Sequence, residues 1–221
     1  QPVRHLRRRQ PGWRRGGVSL HHALRGCGGD RADDPPACRG AEPADGARQV
    51  PAAGYDTPER RSAFYANVVS RIAALPGVES AAAISFLPFA GGGIGTSFYR
   101  ADGPEPAPGQ APIADVRPVT PGFFRTMGIP QVTGRDFISA DRSESPLVAI
   151  VNQTLVARYL DGENPLGKRL NIFLGPPDRR VYEIVGVVGD IKLASLDGEV
   201  RPTVYVAHTQ LAIPLMTFVA R

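Results

Sequence analysis

Cysteine is nearly absent: the 221 residues hold two, Cys27 and Cys38. A disulfide framework is thereby excluded for most of the chain, and these two lack the paired spacing of a zinc site. Histidine is scarce too, with His5, His21 and His22 early and His208 alone thereafter. Neither a metal cluster nor a histidine-based acid–base pair has the residues it needs. Long apolar runs are missing too. Two stretches free of Asp, Glu, Lys and Arg are long enough to test as membrane spans, 80–99 and 202–220. Pro88 and Gly91-Gly92-Gly93 interrupt the first; Pro202, His208, Gln210 and Pro214 interrupt the second. Neither offers the roughly 20 apolar residues a spanning helix needs. The N-terminal arginines are not followed by the apolar core of a secretory signal.

Charge is present but unevenly placed. Lys and Arg number 26 against 21 Asp and Glu, a net +5 that suggests a nucleic-acid partner until the charges are located. Residues 1–50 hold ten Arg and five acids, whereas residues 51–221 hold 16 of each. The whole excess therefore lies in the first segment, and no nucleic acid is expected on the rest. That segment also carries the one Trp and has no Lys, Ile, Phe, Tyr, Asn, Thr or Met. Its Arg, Gly, Pro and Ala bias without apolar periodicity is that of a disordered tail or of GC-rich DNA read out of frame.

From residue 51 onward local signals alternate. Thr57 as N-cap, Pro58 at the first helical position and Glu59 in the first turn start a helix, with Phe64, Val68, Ile72 and Leu75 as its apolar stripe. Pro76-Gly77 ends it, and residues 78–87 read as a strand beside it. Gly91-Gly92-Gly93-Ile94-Gly95 lacks the spacing and lysine of a phosphate loop. Residues 96–119 read as a hairpin-rich stretch around the proline-rich 103–109. Thr120-Pro121-Gly122 repeats the cap-plus-proline signal before a two-turn helix with Phe123, Phe124 and Met127. Residues 147–151 predict a strand, 153–160 a helix capped by Asn152, and 168–174 a strand. The run 181–188, dense in Val and Ile, predicts a central buried strand, and 203–206 and 215–220 supply two more.

Five phrases occur in order: Leu75-Pro76-Gly77-Val78, Thr120-Pro121-Gly122-Phe123-Phe124, Gly134-Arg135-Asp136-Phe137, Asn164-Pro165-Leu166-Gly167-Lys168 and Ile184-Val185-Gly186-Val187-Val188-Gly189-Asp190. Together they resemble the periplasmic core domain of MacB-type permeases, of the FtsX-like and duplicated permease group, over about residues 51–221. The resemblance implies an α+β, two-lobed domain: a porter lobe of β-α-β units interrupted by a β-rich lobe, here roughly residues 90–145. It implies an extracytoplasmic, non-catalytic domain on the periplasmic side of a bacterial cell membrane, part of an ABC transporter for efflux or envelope remodelling. Its partners would be membrane helices of the same permease, a cytoplasmic ATP-binding subunit and an envelope component; no cofactor is expected. A free-standing periplasmic binding or adaptor module is the alternative. Similar permeases place a membrane helix and then a strand before the first helix, and residues 1–50 are expected to carry neither. Membrane helices are likewise expected beyond the final strand.

No catalytic residue is assigned. Asp136, Asp141 and the Asp115–Arg117 pair read as solvated loop charges or helix caps. Pro76, Gly77, Pro121, Gly122, Gly134, Arg135, Asn152, Pro165, Gly167, Gly186 and Gly189 read as positions that set the fold, the glycines through turns or close backbone approach and Arg135 through a nearby carboxylate.

Overall fold

In a computed structural model, residues 47–49, 55–90, 93–160, 162–174, 179–193 and 197–221 are described. Among them the chain forms β1 (Ala47–Gln49), α1 (Pro58–Ala73), β2 (Ala81–Ile84), β3 (Ile94–Arg100), β4 (Ile113–Val119), α2 (Phe123–Met127), β5 (Gln131–Gly134), β6 (Val148–Asn152), α3 (Gln153–Tyr159), β7 (Arg169–Phe173), β8 (Arg179–Val188), β9 (Thr203–Ala207) and β10 (Leu215–Ala220). Glycines 91 and 92 of the triglycine run lie outside the described residues.

Six strands close on themselves. β4 pairs with β3, β3 with β7 and β7 with β8, all antiparallel. β8 then pairs parallel with β6, β6 antiparallel with β9, and β9 parallel with β4, which completes the ring. Because successive side chains point to opposite faces, β4, β6, β8 and β9 each feed two cores. Ala149, Val151, Val204 and Val206 belong to an inner cluster with Phe98, Leu170 and Tyr182, plugged by Leu155 and Leu160 at α3. Val148, Ile150, Tyr205 and Ala207 belong to an outer cluster covered by Phe123 and Phe124 of α2.

A smaller layer lies beside the ring. β10 runs between β1 and β2, antiparallel to both. α1 covers one face of this three-stranded sheet through Tyr65, which packs with Ala83 and Met216. Ala82 and Ile84, pointing the other way, join the outer cluster of the ring.

Several expectations are corrected. A strand does precede the first helix: β1 stands within the segment read as featureless, and a strand that short carries no alternation to reveal it. Within residues 90–145 β3 pairs with β4, and both also pair beyond that boundary, β3 with β7 and β4 with β9. On α1 the buried residues are Ser62 and Tyr65, with Phe64 and Val69 partly buried, whereas Leu75 is 40% exposed. The helix is rotated so that the Tyr65 hydroxyl donates to the Pro214 carbonyl at 2.8 Å. Thr57 and Pro58 do start α1. Thr120, by contrast, does not cap α2: the N-cap is Gly122, with φ +81, and the Thr120 hydroxyl instead accepts the Ala83 N–H at 2.8 Å.

Candidate functional site

Four of the five sequence phrases converge around the C-terminal half of β8. Gly134 ends β5 with φ +77, and a Cβ there would lie 2.2 Å from the Val185 carbonyl oxygen and 2.8 Å from a Leu166 methyl. From the opposite side, a Cβ on Gly186 would lie 2.4 Å from the Arg135 carbonyl oxygen, and one on Gly189 2.8 Å from the ring of Pro130. The two backbones thus approach so closely that no side chain fits at Gly134, Gly186 or Gly189. The Arg135 N–H donates to Val185 O and the Gly189 N–H to Pro130 O, at 2.9 and 2.8 Å. Pro165 and Gly167 shape the turn that enters β7, where the Gly167 N–H donates to Ile184 O at 2.9 Å. Pro76 and Gly77 stand apart from this convergence, in the turn after α1.

Charged groups tie the crossing to its surroundings. Arg135 donates to both oxygens of Asp141 at 2.8 and 2.9 Å, and to Asp136 O at 3.0 Å. Asp141 is 5% exposed; burial pushes its carboxyl up, but Arg135 and the Ile138 N–H outweigh that and hold it below the usual range. Asp136 goes the other way: burial raises it, against the Phe137 and Gly122 N–H groups that it accepts. Neither is a free solvated charge, and Asp136 connects Pro121-Gly122 at the head of α2 to the crossing.

Just past the C-terminal end of β8, next to this crossing, sits a second knot. The Asn152 side-chain oxygen accepts from Leu155 N, capping α3, and from Thr203 N. Its amide donates to Asp190 Oδ1 at 2.7 Å and to Arg201 O at 3.0 Å. Asp190 also accepts from the Thr154 N–H and hydroxyl. One amide side chain therefore joins β6, α3, β9 and the end of β8. Asp190, Thr154 and Thr203 were missed in the sequence; the only signal was Asp190 closing its phrase.

Among the described residues, Arg117, Tyr205 and His208 bury polar atoms that have no partner. Arg117 is 2% exposed in β4, a correction to its reading as a loop charge; its guanidinium donates to Phe86 O, and its Nε has no partner. Burial lowers its pKa, with Asp115 opposing. Beside it in register, Tyr205 has a buried hydroxyl without a partner, and burial raises its pKa. Both ring nitrogens of His208 are likewise unpartnered, and burial depresses it to about 4. Among the described residues, no three His, Cys, Asp or Glu side chains gather as a metal site would require, and no helix is long and apolar enough to cross a membrane. Two shallow grooves of about 190 and 210 Å³ lie beside Tyr99 and the 101–112 connection, sharing no residue with the convergence. What this arrangement does chemically is hold backbones together.

Residues 41–221 match the family described as the MacB-like periplasmic core domain. Among solved structures the chain is similar to the periplasmic region of MacB from Actinobacillus actinomycetemcomitans, at 15% identity and a TM-score of 0.49, over 71% of this chain and 64% of that one. It is similar to the extracellular domain of the ABC-type transporter YknZ from Gram-positive bacteria, at 13% identity and a TM-score of 0.48, over 72% of each chain. A domain of a permease protein from Porphyromonas gingivalis is similar at 15% identity and a TM-score of 0.43, over 68% of this chain and 64% of that one. No curated protein matches the sequence.

Proposed function

The chain belongs to the MacB-like periplasmic core domain family, and from that membership we propose that it is the extracytoplasmic domain of an ABC transporter permease. The observation that carries the reading is the family match across residues 41–221. The convergence of the phrases on one backbone crossing supports it, because residues that set backbone geometry suit a mechanical part of a transporter. The domain works by moving: ATP-driven changes in membrane helices alter its shape, and the shape acts on cargo or on an envelope partner. Those helices and the ATP-binding subunit belong to the rest of the transporter. Its two lobes are the small layer of β1, α1, β2 and β10, and the ring from β3 to β9, with the second inserted in the first.

The test is topological. Alkaline phosphatase and β-galactosidase are fused in turn after Arg221 in the parent gene. Phosphatase activity with silent galactosidase is expected, since the phosphatase folds only outside the cytoplasm. The opposite pattern overturns the extracytoplasmic assignment, and a parent gene without apolar spans makes the free-standing periplasmic module the better account.

A further inference from the structure

The geometry points to a pivot between the two layers at residues 83–85, 118–120 and 208, a conformational device that rests on the reading of the domain as a moving part. Within the ring, neighbouring strands share ladders of three to five residue pairs. Between ring and small layer, among the described residues, the ladder is a single pair, Ile84 with Val119.

The sequence explains the truncation. Pro118 has no amide hydrogen, so it accepts from Ser85 N at 3.0 Å and returns nothing. One pair further along, Thr120 N donates to Ala83 O at 2.9 Å, but the Ala83 N–H goes to the Thr120 hydroxyl. Pro121 then ends any continuation. His208 completes the cluster: its N–H donates to Val119 O at 3.0 Å, and its carbonyl accepts the Ser62 hydroxyl of α1 at 3.3 Å.

Beyond these residues and the Arg117 donation to Phe86 O beside them, the interface is apolar, Ala82 and Val219 against Phe123 and Phe124. Hydrogen bonds fix direction, whereas apolar contact between small and flat side chains tolerates sliding. Directional bonds gathered at one end of a slippery interface make a hinge at that end and a shear surface along the rest.

The experiment uses the full chain with Cys27→Ser and Cys38→Ser, and pairs of spin labels read by pulsed electron paramagnetic resonance. One pair crosses the interface, at exposed Arg71 on α1 and exposed Val181 on β8; a control pair, Ala157 on α3 and Val181, stays on the ring. The crossing pair is expected to give the broader distance distribution. Thr120→Val, which leaves the Ala83 N–H without its acceptor, is expected to broaden the crossing pair alone. A crossing distribution no broader than the control overturns the pivot. A variant that widens both pairs, or neither, overturns its assignment to these residues. Failure here leaves the extracytoplasmic assignment standing, and failure of the fusion test leaves the pivot standing.

Discussion

The crossing of β5 and β8 puts its two glycines under different obligations from those elsewhere. Gly186→Ala drives a methyl to 2.4 Å from a carbonyl oxygen whose backbone is held by its own bonds, so a loss of about 3 kcal/mol is expected in urea unfolding. Gly77→Ala, with φ +82 and open space around it, loses about 1 kcal/mol through backbone strain alone. Equal losses would refute the account of the crossing. His208 supplies a pH dependence of defined sign. Its pKa is about 4 when folded against 6.5 for an ordinary histidine, so the folded state binds fewer protons between those values. Its contribution is whole above about pH 6.5, falls as pH drops toward 4 and falls no further below, about 3 kcal/mol in all. A His208→Gln variant should flatten the unfolding midpoint across that window; an unchanged slope would assign the dependence to other groups.

At the scale of elements, Asn152 shows how one side chain sets the arrangement of four. Asn152→Ala removes the α3 cap and leaves the Thr203 N–H unanswered in a buried place, a loss of about 3 kcal/mol by thermal or urea unfolding. Asn152→Asp keeps the acceptor but sets a carboxylate against Asp190, and should rescue little. The capping role was legible, because Asn between an apolar strand and a helical period has few other uses. The Asp190 and Arg201 ends of the knot were not, since they come from distant loops. The helix start at Thr57-Pro58 and the β8 run were legible for the same reason as the cap: their signals are local. β5 was not, being an edge strand whose four residues are all exposed, so no alternation marks it. Arg117 and Asp141 were misread because a charged residue is solvated by default, and only tertiary partners bury it.

For the whole molecule, the second of two compact units spans Pro43–Arg221, and the family match begins at residue 41. Deleting residues 1–42 should leave the melting temperature unchanged, whereas deleting residues 1–50 removes β1 from β10 and should lower it by several degrees. Equal behaviour of the two truncations would show that β1 contributes nothing. The closure of the ring escaped sequence reading because it is a matter of pairing, and the partners β4 and β9 lie far apart in the chain. That separation also governs assembly in time. As the chain emerges from its N-terminal end, one edge of β4 stays unpaired and open to a neighbouring molecule until Thr203–Ala207 arrives to close the ring. The interval between those two arrivals is when a chaperone of the envelope would have most to protect.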